Sequence, residues 1–175
     1  MGVGRTVWLT GLPSSGKSTI AAAVAGRLRA DGWPVEVLDG DEMRRSLTAG
    51  LGFGRADREE NVRRIGWVAG LLARNGITVL VPVIAPYAAD RDKVRAAHQE
   101  RNVPFSEVFV ATPVDVCARR DVKGLYARQR AGELTSLTGV DDPYEPPAHP
   151  DLRVPADTQS VAESVEAVYR LVVSP

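Results

Sequence analysis

The chain has 175 residues, of which 44% are hydrophobic and 25% charged, the composition of a typical soluble globular protein. Its 22 basic and 22 acidic residues cancel, so the overall charge favours neither nucleic acid nor an anionic membrane surface as a partner. No apolar run approaches the roughly 20 residues of a membrane-spanning helix. We therefore expect one cytoplasmic domain over residues 1–175, without an internal disulfide because Cys117 is the only cysteine.

Short apolar runs alternate with helical patterns along the chain. The strand-like runs cover residues 5–10, 35–39, 77–85 and 105–111, with a weaker one at 152–155. This alternation predicts an α/β fold, with a parallel sheet of about five strands flanked by helices.

The first strand leads into a glycine-rich loop that fits the pattern GxxxxGK[ST]. Such a loop directs backbone N–H groups and a helix N-terminus at a phosphate, with its lysine reaching the β- and γ-phosphates. The Ser18 hydroxyl is placed to ligate Mg²⁺. The predicted ATP-binding residues of this loop are Gly11, Leu12, Pro13, Ser14, Ser15, Gly16, Lys17, Ser18 and Thr19.

Two carboxylates and an arginine follow the second strand, at Asp39, Asp41 and Arg44. The carboxyl ends of parallel strands share one edge of a sheet, so these groups should lie beside the phosphate loop. A carboxylate there can orient Mg²⁺ or accept the proton of an acceptor hydroxyl, and an arginine can hold an acceptor anion. A polar turn with Asp41 as helix N-cap is the alternative interpretation, and the role of Asp39 stays open.

A possible acceptor-binding cluster comes next, where Phe53 precedes Arg58 and Asn61 lies one helical turn further on. Phe53 could equally belong to the core, and Arg58, Arg63 and Arg64 could form a solvated helix face. Asp57 and Glu60 predict a capping box at the start of this helix.

The third strand ends in Ala85-Pro86 and lacks the terminal aspartate of many P-loop ATPases. The chain also has no NKxD base-reading motif. These features argue against a GTPase switch or a motor and favour a compact small-molecule kinase.

The last third of the chain contains a long irregular stretch between two helices. Thr112-Pro113 predicts one helix start and Ser160 with Glu163 another. Residues 121–150 are rich in glycine and proline, which predicts a long loop that serves as a mobile lid. At its beginning, Arg120 and Lys123 are candidates for contacts to the phosphates.

Taken together, these motifs resemble the adenylylsulfate kinase (APS kinase) family. The matching segments are GLPSSGKST at 11–19, LDGDEMR at 38–44, LGF at 51–53, DREEN at 57–61, RDVKGLY at 120–126 and TGVDDPYEPP at 138–147. They occur in the family's order over nearly the whole chain. The resemblance implies a five-stranded P-loop kinase, commonly a homodimer, that uses ATP and Mg²⁺ to phosphorylate the 3′-hydroxyl of adenylylsulfate and yields PAPS.

The resemblance also implies roles for individual residues. Asp41 would face the acceptor hydroxyl and the metal, while Lys17 would stabilise the transferred phosphate. The residues implied to contact adenylylsulfate are Asp41, Arg44, Phe53, Arg58, Asn61, Ile84, Ala85, Lys123 and Leu137.

Two positions depart from the family pattern. Ala85 stands where the family commonly has a serine that has been proposed as a phosphorylated intermediate, which implies direct transfer from ATP in this chain. Leu137 replaces a phenylalanine that would stack on the adenine. These differences leave a related kinase with another small acceptor as the alternative, and a nucleotide-binding regulator without turnover as a third.

Overall fold

The computed structural model describes residues 3–174, which form a parallel β-sheet covered by helices on both faces. The strands are β1 (Arg5–Thr10), β2 (Val35–Val37), β3 (Thr78–Pro82), β4 (Phe105–Val110) and β5 (Leu152–Val154). The helices are α1 (Lys17–Ala30), α2 (Gly40–Arg45), α3 (Arg55–Arg74), α4 (Ala88–Gln99), α5 (Val114–Arg120), α6 (Leu125–Arg130) and α7 (Val161–Val173). The five strands pair in the order β2-β3-β1-β4-β5, which confirms the predicted fold class.

The central strand β1 supplies both halves of the hydrophobic core. Successive side chains of a strand point to opposite faces of the sheet. Val7 and Leu9 accordingly pack with α1 and α7, whereas Trp8 packs with α3 and α4. All three side chains are fully buried. Helices therefore pack against both faces of the sheet, and this packing fixes the strand ends that carry polar groups.

Two glycines let α3 and α4 pack closely on the second face. A Cβ at Gly66 would lie 2.7 Å from Val94 Cγ2, and one at Gly70 would lie 3.4 Å from His98 Nε2. Larger residues at these positions would push the helices apart, because interiors are close-packed. The spacing of these helices fixes the start of α3, where the candidate acceptor cluster lies.

Helix starts agree with the sequence analysis at one of three sites. At α7, Ser160 and Glu163 form the predicted capping box. The capping box expected at Asp57 was wrong, since α3 begins at Arg55 with Gly54 as its N-cap. The proposed start at Thr112 was also displaced, because Pro113 is the N-cap of α5.

The segment from 121 to 150 is more ordered than predicted. It contains α6, a short helix whose start is capped by Asp121, which accepts hydrogen bonds from the N–H groups of Tyr126 (3.0 Å) and Ala127 (2.9 Å). Residues 136–142, which we call the hook, form a tight turn further on. The predicted long loop is therefore interrupted by α6, and its role as a lid stays a prediction. None of the helices described between residues 3 and 174 could span a membrane.

Candidate active site

The phosphate loop between β1 and α1 has the backbone conformation that its glycines predict. Gly11 has φ 155° and Gly16 has φ 108°, in the region that favours glycine. A Cβ at Gly11 would lie 2.6 Å from the Val110 carbonyl oxygen. Ser14 also has a positive φ, 62°. The loop can therefore turn sharply and present its N–H groups at the start of α1.

Lys17 begins α1 and is held by the loop itself. Its Nζ donates to the carbonyl oxygens of Gly11 (2.9 Å) and Leu12 (2.7 Å) and to Ser15 Oγ (3.4 Å). Only 8% of the residue is exposed, and burial lowers the pKa of the Lys17 ammonium to about 7. A phosphate placed opposite the amine would favour its charged form.

Side chains just before α5, at its end and in α6 form hydrogen bonds to the backbone of the phosphate loop. Thr112 Oγ1 donates to the Ser15 carbonyl oxygen (2.8 Å), and Arg120 contacts the same oxygen (3.3 Å) and that of Ala156 (2.5 Å). The buried Tyr126 donates its hydroxyl to the Pro13 carbonyl oxygen (3.1 Å). Thr112 and Tyr126 were missed as loop supports by the sequence analysis, because contacts over such chain separations leave no local pattern.

The remaining loop residues are placed unevenly. Pro13 is buried, Leu12 is half-buried, and Ser18 and Thr19 are exposed. A hollow beside Leu12 is walled by residues 139–144 of the lid. Leu12 of the predicted ATP-binding loop thus lines one side of an opening whose other side is the end of the hook and the residues that follow it.

The two aspartates after β2 have different partners. Asp39 is the N-cap of α2, where it accepts from the Asp41 N–H (2.9 Å) and from the Ser18 hydroxyl (2.6 Å). Asp41 instead forms an ion pair with Lys123 from the lid, and both side chains are about half exposed. The alternative with Asp41 as the N-cap is therefore wrong, and Asp39 lies next to Ser18.

This arrangement fits a magnesium ion at the phosphate loop. Mg²⁺ prefers oxygen ligands and is commonly bound by one or two protein groups together with substrate phosphates. The Ser18 hydroxyl and the Asp39 carboxylate provide two such oxygens within 2.6 Å of each other. Asp41 is the predicted metal ligand beside Ser18, whereas Asp39 is the carboxylate that contacts Ser18 in the structure.

The half-buried Arg44 and the exposed Phe53 lie together near the start of α3. The Arg44 guanidinium lies 4.5 Å from the centre of the Phe53 ring and donates to the carbonyl oxygen of Gly52 (2.8 Å). Phe53 is 61% exposed, so it is not part of the core. Its ring is available to stack on a planar partner, and the neighbouring guanidinium gives the site positive charge.

Arg58 is buried, in contrast to the solvated face considered above. Its Nε donates to the Phe53 carbonyl oxygen (2.7 Å), and its terminal nitrogens donate to Thr138 Oγ1 (2.6 Å) and the Ser136 carbonyl oxygen (2.7 Å). Arg63 and Arg64 do form a solvated face, where both pair with Glu60. Arg58 thus connects the segment before α3, at Phe53, to the hook.

Asn61 lies one turn beyond Arg58 and is also buried, 8% exposed. Its Oδ1 accepts from the hydroxyl of Thr48 (2.8 Å), a fully buried residue of the loop after α2. Thr48 was not singled out from the sequence, because an isolated threonine in a loop carries no distinctive pattern.

The remaining predicted acceptor residues lie just after β3 and in the hook. Ile84 is half-buried and its carbonyl oxygen accepts from Thr10 Oγ1 (2.5 Å). Ala85 is 3% exposed and has φ 43°. Leu137 is 5% exposed and packs with Cys117 and Tyr126. Leu137, which stands where the resemblance implies a stacking phenylalanine, belongs to this small cluster, and its contact with the acceptor stays a prediction.

Comparisons with known proteins give a consistent result. The sequence pattern of the family described as adenylylsulphate kinase matches residues 3–155. The adenylyl-sulfate kinase of Gloeothece citriformis is 53% identical over 165 residues, which cover 94% of this chain and 92% of that protein.

Solved structures agree with the sequence relatives. The APS kinase CysC of Mycobacterium tuberculosis, in complex with AMPPNP and APS, has a TM-score of 0.96 and 48% identity, covering 99% of this chain and 100% of that one. A hexameric APS kinase from Thiobacillus denitrificans has a TM-score of 0.70 and 35% identity, covering 94% of this chain and 28% of that one. The family pattern matches most of this chain, and about half of the aligned residues are identical in a relative that is covered over nearly its whole length. This chain therefore belongs to the adenylylsulfate kinase family.

Proposed function

We propose that this protein transfers the γ-phosphoryl group of ATP to the 3′-hydroxyl of adenylylsulfate, producing PAPS and ADP for sulfate activation. The observation that carries the proposal is the position of Asp41. Asp41 lies just after β2, which is separated from β1 in the sheet by β3. Its carboxylate pairs with Lys123 from the lid. It belongs to the same short turn as Asp39, which contacts Ser18. A carboxylate so placed supports a role between a nucleotide phosphate and an acceptor hydroxyl.

Asp41 is the proposed acceptor of the proton. The 3′-oxygen of adenylylsulfate attacks the γ-phosphorus, the bond from that phosphorus to the bridging oxygen breaks, and ADP leaves. The hydroxyl proton passes to the Asp41 carboxylate. Lys123, which pairs with Asp41, would bring a positive charge from the lid to the same point.

Lys17 and the loop N–H groups supply the electrostatic part of the reaction. The ammonium would leave the carbonyl oxygens of Gly11 and Leu12 to meet the β- and γ-phosphate oxygens. Mg²⁺, held by Ser18, Asp39 and the ATP phosphates, would neutralise charge that develops on the phosphoryl oxygens. Arg120, which already braces the loop, is the proposed lid-side contact to ATP.

The acceptor side recognises adenylylsulfate by charge and by stacking. Arg44 and Arg58 would hold the phosphosulfate anion, and the exposed Phe53 ring would stack on the adenine. Asn61, Ile84, Ala85 and Lys123 would complete the pocket. Leu137 would act indirectly, by packing the hook, and residues 121–150 would open and close as the lid.

A comparison of acceptors tests the proposal. Purified protein with Mg²⁺ and ATP should phosphorylate adenylylsulfate with a kcat/KM well above that for AMP, because only the former carries the sulfate that the two arginines would bind. Phosphorylation of another metabolite with no PAPS formed would instead support a kinase with a different acceptor. ATP binding without turnover of any acceptor would support the regulatory role.

We further propose that the working form is a homodimer in the cytoplasm, where ATP is supplied. Trp67 on α3 is 59% exposed and borders a hollow between α3 and α4 with Gly66, Gly70 and Val94 in its wall. Large exposed aromatic side chains are enriched at protein interfaces. Light scattering on the purified chain would give twice the monomer mass, and a monomer throughout the working concentration range would refute this part of the proposal.

A further inference from the structure

The hook, residues 136–142, is a rigid unit within the lid. The Asp141 carboxylate accepts hydrogen bonds from the N–H groups of Ser136 (2.9 Å) and Leu137 (2.5 Å). The Leu137 carbonyl oxygen accepts from the N–H groups of Val140 (3.0 Å) and Asp141 (3.2 Å). Because these hydrogen bonds join the two ends of the hook, we expect its residues to move together.

One side of the hook packs on the phosphate loop. Leu137 is buried against Tyr126, whose hydroxyl donates to the Pro13 carbonyl oxygen. At Gly139 the backbone passes so close to Leu12 that a Cβ would lie 2.4 Å from Leu12 Cδ2. The hook is thus in direct contact with the segment proposed to bind ATP.

The other side of the hook holds Arg58. The guanidinium donates to Thr138 Oγ1 and to the Ser136 carbonyl oxygen, and it lies 3.6 Å from the Asp142 carboxylate. Its Nε is taken by the Phe53 carbonyl oxygen. A guanidinium has five N–H groups, so these three hydrogen bonds leave one N–H on each terminal nitrogen without a hydrogen bond, and Nη2 is the nitrogen that lies beside the Asp142 carboxylate.

Thr138 is the lid residue whose side chain accepts a hydrogen bond from Arg58. It is 1% exposed, and its hydroxyl is 2.6 Å from an Arg58 terminal nitrogen. Because both partners are buried, loss of the hydroxyl would leave an N–H of a charged group without an acceptor. This bond, together with those to Phe53 and Ser136, fixes the plane of the guanidinium and the direction of its two remaining N–H groups.

We propose that Thr138 is a positioning residue for Arg58, through which the hook couples the phosphate loop to recognition of the acceptor anion. The inference rests on the proposed function, because it assigns the remaining N–H groups of Arg58 to adenylylsulfate. It adds a residue that touches neither substrate and acts through the arginine. The same short segment then contacts the phosphate loop and orients Arg58.

The test compares Thr138→Val, which keeps the side-chain shape and removes the hydroxyl, with Thr138→Ser, which keeps the hydroxyl. Thr138→Val should raise the KM for adenylylsulfate about tenfold, the effect of losing a hydrogen bond to a charged group. The KM for ATP should change by less than about twofold, because Lys17 and its loop keep their contacts. Thr138→Ser should stay within about twofold of the parent for both substrates.

Several results would overturn the inference. They are an unchanged adenylylsulfate KM in Thr138→Val, an equal rise in both KM values, and a defect in Thr138→Ser as large as in Thr138→Val. The last would mean that the methyl group, and not the hydroxyl, is required. Thermal melting of each variant establishes that it is folded before kinetics are measured.

Hydrogen exchange separates failure of this inference from failure of the proposed function. If the parent chain makes no PAPS, the proposed function fails, and the Thr138–Arg58 coupling is then decided by exchange of the backbone amides of residues 136–142. These amides should exchange faster in Thr138→Val than in Thr138→Ser. Equal exchange in the two variants would overturn the coupling as well.

Discussion

Lys17 and Arg58 are both buried cations at the same edge of the sheet, yet they are held by different parts of the chain. Lys17 donates to carbonyl oxygens five and six residues away. Arg58 donates to groups 78 and 80 residues away, in the hook. On the donor side the Lys17 amine is therefore held within its own loop, whereas on the acceptor side the Arg58 guanidinium is held in part by the hook, which is distant in the sequence.

This difference suggests how variants should behave. Changes on the donor side should reduce phosphoryl transfer to every acceptor, because ATP is common to all of them. Changes on the acceptor side should act selectively on the KM for the sulfated substrate. The following predictions test that division, starting with the largest expected effect.

Lys17→Ala should reduce kcat on the order of a thousandfold, the scale observed when one preorganised charge-stabilising donor is removed. The fold should survive, since the buried ammonium bonds only to its own loop. Steady-state kinetics with saturating adenylylsulfate would measure the loss. Lys93→Ala is the matched control, because Lys93 lies in exposed ion pairs on α4. A variant that loses adenylylsulfate affinity but keeps kcat would place Lys17 on the acceptor side.

Asp41→Asn should reduce kcat by about a hundredfold while both KM values change little, since a general base acts mainly in the transition state. Asp39→Asn should instead raise the Mg²⁺ concentration needed for half-maximal rate, because Asp39 contacts Ser18. Asp115→Asn, which removes an exposed ion pair with Arg119, is the control. If the two active-site variants exchanged these behaviours, the assignments of the aspartates would have to be reversed.

Arg44→Gln should raise the KM for adenylylsulfate about tenfold, because a charged donor facing an anion is lost in both ground and transition states. The KM for AMP should rise less, since AMP lacks the sulfate. Arg63→Gln, on the solvated face of α3, is the control. An equal effect on both acceptors would mean that Arg44 contacts only the part that they share, and the acceptor side would not be selective for sulfate.

The success of sequence-based prediction follows the same division. The phosphate loop was predictable because its chemistry lies in consecutive residues, and the sheet was predictable because strands and helices alternate in hydrophobic pattern. The short helix α6 was missed, since its six residues lie among glycines and charges with little periodicity. The burial of Arg58 could not be derived from its own helix, where Arg63 and Arg64 at nearby positions are solvated.

Leu137 shows a limit of reasoning from family resemblance. The family pattern places an aromatic ring at this position against the substrate adenine, but here the side chain packs with Cys117 and Tyr126 below the phosphate loop. Which neighbours a side chain at this position meets depends on residues that are distant in the sequence.

Ala85→Ser should have the smallest effect, with kcat for adenylylsulfate within about twofold of the parent. Direct transfer needs no phosphorylated side chain, because the acceptor oxygen itself attacks the γ-phosphorus. Ala85 sits at φ 43° and its carbonyl oxygen accepts from the buried Arg91 (2.7 Å), a bond that serine keeps. Ala85→Gly is the control, since glycine adopts this φ without strain. A labelled phosphoenzyme in Ala85→Ser, formed fast enough to account for turnover, would show that the acceptor side can take part in transfer and would end its separation from the donor side.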